Sequence, residues 1–435
     1  MPLSRRQILS GFAAMAAAAS FPKAFAAAEA ENWAVPEALQ REMYDHAMQL
    51  AKKKIRGGPN DPVYKKPFVD AAFSGSIYLW DTCFIATYAK FHPDELPIAN
   101  ALDNFYNRQE EDGYICREYN ADGEPYWPKY HPVSINPPLL AFAELELFGK
   151  SGDIERLKTV YPKLVRFYDF LVKHYRGEDQ LYFSDSLGSG MDNIPRYPFG
   201  WRDDGAGIRF KSLKYDWFIY SDLDAKWNRQ GRSVDMSAQM VLFANNLCDI
   251  ANHIGNNADV DRFRTGAAQT TDAINMHCWN QDDCFYYDLG YGQRILRRHI
   301  GMFWTLIAGV VPEERMVPFL GHLTDPNQFW RKIPVATTPA DSPDFQPAGG
   351  YWHGSAWAPT NYMIIRGLEA VGQHDLAERL ARQYYWCVAE VFKTTGTFWE
   401  NYAPDRIAPG DSSRPDFCGW TALAPITLWH DYIKV

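Results

Sequence analysis

Helix-forming patterns dominate this chain and recur in consecutive pairs. In the stretch "PEALQREMYDHAMQLAKKKI", the apolar residues Leu39, Met43 and Ala47 fall on one helical face. Comparable patterns predict further helices over 78–92, 95–111, 137–149, 152–176, 233–255, 258–279, 299–310, 312–322, 355–371, 373–394 and 417–433. The helical patterns do not alternate with strand patterns, so we expect an all-α fold.

Short turns join successive helices into hairpins. In "GKSGDIERL", Gly152 can end one helix and Asp153 can cap the next by accepting hydrogen bonds from free N–H groups. Consecutive hairpins form either an open superhelix or a closed ring. Long inserts rich in Gly, Pro and aromatic residues separate them, at about 112–136, 181–232, 323–354 and 395–416. Because such loops are usually functional, their recurrence predicts a closed helical barrel with the inserts at one end.

The N-terminal sequence "MPLSRRQILSGFAAMAAAASFPKAFAAAEA" predicts an export signal. It contains the twin arginines Arg5 and Arg6, an Ala-rich apolar stretch and a small-residue cleavage pattern that ends at Ala26. We expect residues 1–26 to be a twin-arginine signal peptide. Residues 27–435 would then be one catalytic domain, periplasmic or secreted, with no membrane segment in the mature form. An amphipathic N-terminal helix is the alternative, but the Ala run has no polar face.

Charge and motifs exclude several classes of protein. The formal net charge is -9, and loss of Arg5, Arg6 and Lys23 with the signal would take it to -12. Nucleic-acid binding is therefore not expected, since phosphates require clustered Lys and Arg. The chain has no His-Glu-x-x-His, Gly-x-Ser-x-Gly, phosphate-loop, dinucleotide or Cys-x-x-Cys motif. We expect no cofactor and no metal, although loop carboxylates that bind calcium need no fixed spacing.

Two acidic residues lie in separate inserts. Asp192 is in "GSGMDNIPR", between glycine-loosened backbone and a proline, with no helical or strand period. Glu400 is in "GTFWENYAPD", close to Trp399 and Tyr402, and apolar walls around a carboxyl raise its pKa. Two carboxyl groups at one mouth of a barrel can act as general acid and general base across a glycosidic bond. The alternatives are an Asx turn for Asp192 and a solvated loop position for Glu400.

Aromatic and polar side chains in two other stretches suit a sugar pocket. The chain has 15 Trp, 25 Tyr and 26 Phe; most should pack in the core, but rings also stack on the C–H faces of sugars. The stretches are "SIYLWDTCF", at a helix start, and "GGYWHGSAWAPTNYM", after a glycine pair. An N-cap role for the Asp and core packing for the tryptophans are the alternatives. The candidate substrate contacts are Trp80, Asp81, Arg196, Tyr351, Trp352, His353, Trp357, Asn361 and Trp399.

These motifs point to a known family. "LWDTCF", "RQEEDGYICRE", "NPPLLAFA", "GMDNIPR", "GGYWHGSAWAPTNYM", "FWENYAPD" and "DFCGWTAL" occur in this order, and together they resemble glycoside hydrolase family 63 through most of the mature chain. The resemblance is to the short bacterial members that act on small glucosides or mannosylglycerate, and the family 37 trehalases are related. It implies an (α/α)6 barrel and an inverting, exo-acting hydrolase of α-linked glucosides.

The resemblance also implies roles for single residues. Asp192 would be the general acid and Glu400 the general base, with room for a water between base and sugar, so that the carboxyl groups should lie roughly 6.5–9.5 Å apart. Asp81 would bind outer hydroxyls of the sugar, and the walls of that subsite would be Trp80, Trp352 and Trp357. The family more often has Arg at the position of His353, so this chain departs from it at the sugar site.

Four alternatives stay open. An α,α-trehalase needs two pockets that each fit a glucose, and a mannosylglycerate-type hydrolase acts on a substrate with a charged aglycone. A sugar 2-epimerase-like isomerase would use His131 and His353 as acid and base, which leaves the carboxylate loops unexplained. A non-catalytic sugar-binding protein would bind without turnover. In every case the expected partner is a small oligosaccharide or glucoside.

Overall fold

The computed structural model describes residues 33–434 apart from 73, 131, 197–206, 212–215, 221–230 and 418, with only the backbone of 207–211 and 216–220. The expected signal peptide, residues 1–26, and His131 therefore lie outside the described residues.

Twelve principal helices are present in the described residues. They are α1 (Glu37–Lys53), α2 (Leu79–Ala89), α3 (Ile98–Tyr106), α4 (Leu140–Ser151), α5 (Ile154–Tyr175), α6 (Val234–Ile254), α7 (Val260–Ala273), α8 (Trp304–Ile307), α9 (Glu313–Thr324), α10 (Ala358–Ala370), α11 (His374–Thr395) and the π-helix α12 (Ala424–Ile433). One π-turn, Ile274–Cys278, extends α7, and 3-10 turns occur at Pro132–Ser134, Ile300–Phe303 and Thr421–Leu423.

Six of these helices form a closed inner ring. Helix α2 packs against α4, α4 against α6, α6 against α8 and α8 against α10. The turn Thr421–Leu423, which leads into α12, contacts both α10 and α2 and so closes the ring. The alternate helices α1, α3, α5, α7, α9 and α11 form the outer layer. The expected (α/α)6 barrel is confirmed.

The burial of the two layers follows from their sequences. Inner helix α2 has the apolar sequence "LWDTCFIATYA" and is buried at every position, because it contacts neighbours on all sides. Outer helix α5 buries one face, represented by Leu157, Leu164 and Leu171, while its other face is charged. Gly152 ends α4 at φ +66°, and the Asp153 carboxylate accepts the N–H of Arg156, so the predicted hairpin turn is confirmed.

Strands are short and lie in the connections between helices. All described pairings are antiparallel: β1 (Ile55–Arg56) with β2 (Phe68–Val69), β3 (Ile77–Tyr78) with β4 (Glu118–Tyr119), β5 (Gly207–Lys211) with β6 (Asp216–Tyr220), β8 (Trp279–Asn280) with β9 (Phe285–Tyr286), and β7 (Gly231–Arg232) with β10 (Leu289–Gly290) and β11 (Gln293–Arg294). None of them adds a layer to the barrel, so the all-α assignment holds.

Three predicted helices differ in extent or type. The helix expected over 95–111 covers only Ile98–Tyr106, because Pro97 stands directly before its first turn. The one expected over 299–310 is a 3-10 turn followed by the short α8, which stops before Gly309 at φ +69°. The last begins as a 3-10 turn and continues as a π-helix. Within the described ranges, no helix is both long and apolar enough to cross a bilayer.

Candidate active site

Asp192 lies on a tight loop that packs against Trp80, the second residue of α2. Gly190 in this loop has φ +77°, and a Cβ there would come within 2.4 Å of the Trp80 ring. Only glycine allows both this conformation and this approach. The Asp192 side chain remains 19% exposed.

The surroundings of Asp192 favour its protonated form. Burial raises the pKa of this carboxyl to about 7, and the Arg117 guanidinium, whose Nη2 lies 3.9 Å from Oδ1, opposes that rise. The nearby carboxylates of Glu118 and Asp185 add to it. The carboxyl can therefore hold a proton near neutral pH, as a general acid must.

Glu400 is buried on the loop that follows α11. The backbone N–H of Glu400 donates to the carbonyl of Arg414 at 2.9 Å, and the backbone carbonyl of Glu400 accepts the indole N–H of Trp420 at 3.3 Å. The guanidinium Nε of Arg414 lies 4.0 Å from Oε2, on a side chain that is 53% exposed. The backbone is thus fixed on two sides, and a cation stands at the outer edge of the carboxylate.

The hydroxyl of Tyr351 links the two carboxyl groups. Its oxygen lies 3.4 Å from Oδ2 of Asp192 and 3.2 Å from Oε1 of Glu400. These two carboxyl oxygens can therefore be no more than 6.6 Å apart. Residues 159 and 49 positions from Tyr351 along the chain thus meet at one point.

Asp81 belongs to the same cluster. It lies in the first turn of α2, and burial raises its pKa to about 8, with the carboxylates of Asp192 and Glu400 adding to the rise and Arg117 opposing it. A carboxyl that stays neutral can donate a hydrogen bond to a sugar hydroxyl as well as accept one.

We expect Asp81→Asn to stabilise the protein near neutral pH. Between pH 4 and 8 the unfolded chain releases a proton that folded Asp81 retains, so rising pH favours unfolding of the wild type. Asn does not ionise, and the variant should gain about 4 kcal/mol of unfolding free energy at pH 7, since the linkage amounts to about 1.4 kcal/mol per pH unit, and almost nothing below pH 4. Denaturant unfolding at both pH values measures the difference. An equal effect at both would contradict the assigned protonation.

The tryptophans form a layer behind Tyr351. Trp352 and Trp357 stack in parallel at 3.9 Å, and both rings are fully buried. Trp80 lies 6.3 Å from Trp352, and Trp420 lies edge-on to Trp80 and Trp357. Neither Trp352 nor Trp357 offers an exposed face for a sugar to stack on, so in this structure they support the Tyr351 ring.

Arg196 corrects a sequence expectation. Its guanidinium is fully buried, pairs with Asp235 and lies 3.0 Å from the Asp288 carboxylate, so it is not available as a substrate contact. The N–H groups of Val234 and Met236, at the start of α6, donate to these two carboxylates. Arg196 therefore anchors the end of the Asp192 loop to the N-terminus of α6.

Replacing Arg196 by Met should destabilise the fold. The change removes the guanidinium from two buried carboxylates, of which Asp288 also contacts the His299 ring, and loss of one partner from a buried ion cluster costs about 3–5 kcal/mol. Chemical denaturation measures the loss of unfolding free energy. Arg264→Met, which breaks an exposed ion pair with Asp261, is the control and should change stability little. A loss no larger than the control's would contradict the anchoring role.

Three other candidates make hydrogen bonds to neighbouring parts of the chain. Asn361 is fully buried; its amide donates to the Trp357 carbonyl and accepts the Val335 N–H, so backbone occupies it. His353 Nδ1 bonds the carbonyl of Asp344 at 3.0 Å. The indole N–H of Trp399 donates to the hydroxyl of Thr395, on the exposed end of α11. These hydrogen bonds connect parts of the chain to one another. For His353 and Trp399, a role as substrate contacts stays a prediction from the sequence.

Sequence reasoning missed several site residues. Arg117 lies in the quoted motif "RQEEDGYICRE" and Trp420 in "DFCGWTAL", but neither motif says which side chain faces the carboxyl groups. Asn193 follows Asp192 directly, and its amide bonds the loop of Tyr351. In the part of the chain that the structure describes, no three His, Cys, Asp or Glu side chains are grouped as metal ligands.

Comparison with known proteins assigns this architecture to a family. Residues 76–418 match the family model described as "Mannosylglycerate hydrolase MGH1-like glycoside hydrolase domain". A mannosylglycerate hydrolase from Rubrobacter radiotolerans is 25% identical, in an alignment that covers 79% of this chain and 88% of that protein. A probable mannosyl-oligosaccharide glucosidase from Schizosaccharomyces pombe is 22% identical over 76% of this chain and 41% of its own length.

A periplasmic trehalase from Salmonella schwarzengrund is 22% identical over 79% of this chain. The match spans 64% of that trehalase, so the chain covers less than two thirds of several curated relatives. The crystal structure of the family 63 mannosylglycerate hydrolase from Thermus thermophilus in complex with glucose superposes with a TM-score of 0.70, at 21% identity, over 89% of this chain and all of that one. The chain thus belongs to the MGH1-like branch of glycoside hydrolase family 63.

Proposed function

We propose that the protein is an inverting, exo-acting glycosidase that cleaves an α-linked glucoside of a small saccharide, with Asp192 as general acid and Glu400 as general base. The observation that carries this proposal is the meeting of the two carboxyl groups, from separate loops, at the Tyr351 hydroxyl. Their environments differ, which suits opposite roles: burial keeps Asp192 protonated near neutral pH, whereas Glu400 has Arg414 beside it.

The proposed reaction uses each group once. Asp192 donates its proton to the glycosidic oxygen as the bond to the anomeric carbon breaks. Glu400 removes a proton from a water that attacks the opposite face of that carbon, which inverts its configuration. The neutral carboxyl of Asp81 would bind hydroxyls of the sugar. Because 6.6 Å is the upper limit for these two oxygens, their separation lies at or below the lower end of the usual inverting range, about 6.5–9.5 Å, so stereochemistry is the decisive test.

Mannosylglycerate is the second candidate substrate. The family model and the Rubrobacter relative carry that activity in their descriptions, and the exposed guanidinium of Arg414 beside Glu400 offers a charge to an acidic aglycone. Similarity to the fungal mannosyl-oligosaccharide glucosidase supports a glucoside as the substrate, and similarity to the trehalase makes α,α-trehalose a third candidate. The N-terminal sequence supports export of residues 27–435 as one periplasmic or secreted catalytic domain.

A substrate panel tests this function. Purified enzyme is incubated with trehalose, maltose, nigerose, kojibiose and mannosylglycerate, and the released sugar is quantified. Hydrolysis of one α-glucoside supports the proposal, and hydrolysis of mannosylglycerate alone selects the second candidate. Saturable binding without release from any of them would contradict the catalytic assignment and favour the sugar-binding alternative.

A further inference from the structure

The Tyr351 hydroxyl faces two carboxyl groups with only one proton to donate. A phenol offers one O–H donor and two lone pairs. If Asp192 and Glu400 were both ionised, one of them would therefore face a lone pair, which repels it. Both contacts are satisfied when one carboxyl is protonated and donates to the phenol oxygen while the other is ionised and accepts the phenol proton. The contact to Glu400, at 3.2 Å, is shorter than that to Asp192, at 3.4 Å.

The backbone of Tyr351 is held in a conformation that a non-glycine residue rarely adopts. Its φ is +64°, which costs about 1 kcal/mol or more and persists only where neighbours enforce it. The amide of Asn193 provides that enforcement on both sides: Nδ2 donates to the Gly350 carbonyl at 3.2 Å, and Oδ1 accepts the Trp352 N–H at 2.8 Å. Trp357 adds a bond from its indole N–H to the Tyr351 carbonyl at 3.2 Å.

Asn193, whose two hydrogen bonds clamp the backbone on either side of Tyr351, directly follows Asp192 in the sequence. The loop of the acid therefore holds the loop of the tyrosine, and the hydroxyl reaches across to Glu400 on a third loop. Side-chain packing alone would not need a strained tyrosine or a paired amide here. The arrangement fixes where the hydroxyl lies relative to both carboxyl groups.

Charged groups on the surrounding elements select which carboxyl is protonated. Glu118 and Asp185 face Asp192 with negative charge, Asp81 is a neutral carboxyl near pH 7, and Arg117 is the cation that opposes the two carboxylates. On the other side of the hydroxyl, Arg414 faces Glu400 and Tyr351. Burial and these two carboxylates favour the protonated form of Asp192, whereas Arg117 and a hydrogen bond donated by Tyr351 would favour its ionised form. The phenol has one proton, so donation to Glu400 excludes that donation to Asp192.

We propose that Tyr351 is a positioning residue whose hydroxyl accepts a hydrogen bond from protonated Asp192 and donates one to ionised Glu400, and so stabilises the protonation pattern that hydrolysis requires. This inference rests on the proposed roles of the two carboxyl groups. The phenol acts before the substrate reacts, by setting which carboxyl holds the proton, and it transfers no group to the sugar.

The test is the pH dependence of kcat/KM, which reports groups of the free enzyme. Tyr351→Phe removes the hydroxyl and keeps the ring. Asp192 then loses the acceptor of its proton, so the alkaline limb of the pH profile should shift to lower pH. Glu400 loses a donor to its negative charge, so the acidic limb should shift to higher pH. We expect each limb to move by about 0.5–1 pH unit, and kcat/KM at the optimum to fall about 3–10-fold.

The measurement uses maltose or mannosylglycerate, whichever the panel shows to be cleaved. Tyr385→Phe, which removes the hydroxyl of a buried tyrosine on α11, is the matched control and should keep the wild-type profile. Asn193→Ser shortens the clamp and should narrow the profile in the same way. It keeps the proposal testable if the Phe variant does not fold, and circular dichroism checks both variants.

Opposite movement of the two limbs supports the proposal, because a change in packing or dielectric would shift both carboxyl pKa values in the same direction. Limbs that stay in place, or that move together, would overturn it. Failure of the proposed function is a separate result: Asp192→Asn and Glu400→Gln would then retain wild-type activity, which is visible before any profile is compared.

Discussion

Replacing Asp192 by Asn is expected to lower kcat by about 10³–10⁴-fold on a substrate with a sugar or glycerate leaving group. The amide has nearly the same shape but cannot donate a proton to the glycosidic oxygen, and general acid catalysis typically contributes 10²–10⁴-fold. KM should change little, since the side chain is not needed to hold the sugar. Steady-state kinetics measure both constants.

The leaving group provides an internal control for this variant. The 2,4-dinitrophenolate group of an activated α-glycoside departs without protonation. The loss of kcat for Asp192→Asn should therefore be at least 10-fold smaller on that substrate. Asp341→Asn, which alters a surface carboxylate paired with Arg298 on another insert, should leave kcat unchanged. Equal losses on the activated and natural substrates would contradict the general-acid role.

The alkaline limb of the wild-type pH profile should lie near pH 7, where Asp192 ionises.

Replacing Glu400 by Gln should be as damaging, for a different reason. The amide cannot remove a proton from the attacking water, so we expect kcat to fall about 10³-fold or more. Azide needs no base, and it can attack the anomeric carbon from the water's side while Asp192 still protonates the leaving oxygen. Added azide should therefore restore turnover and yield a glycosyl azide of inverted configuration, which mass spectrometry and NMR detect.

A matched control and a clear contrary result accompany that prediction. Glu390→Gln, on the exposed face of α11, should be neither impaired nor dependent on azide. If azide rescued Glu400→Gln with retained configuration, or if azide rescued Asp192→Asn instead, the two roles would be wrongly assigned. If Glu400→Gln kept full activity, Glu400 would not be the base.

The barrel could be predicted from the sequence because helical periodicity is a local property. Stripes such as those of α1 and α5, and turns such as Gly152–Asp153, specify hairpins without knowledge of distant contacts. The limits of α8 and the π-form of α12 could not be predicted, since they depend on packing within the inner ring. Propensity does not report such tertiary effects.

The carboxyl pair was also accessible from the sequence, whereas its partners were not. Asp192 and Glu400 stand out because they lie in long inserts with turn residues and aromatics. Arg196 lies four positions after Asp192, yet the chain turns it into a buried cluster with Asp235 and Asp288, where it anchors the loop. Asn361 is likewise taken up by backbone bonds. A polar residue beside a site can serve the substrate or the scaffold, and only the fold distinguishes the two.

Proton NMR of the first product tests the central claim most directly. The enzyme is mixed with the α-linked substrate that the panel identifies, and the anomeric signals are followed before mutarotation equilibrates them, with Asp192→Asn as the parallel control. We predict that the β-anomer of the released sugar appears first and that the variant releases none in the same period. Initial appearance of the α-anomer would show retention and contradict the assignment of Asp192 and Glu400 as an inverting acid and base.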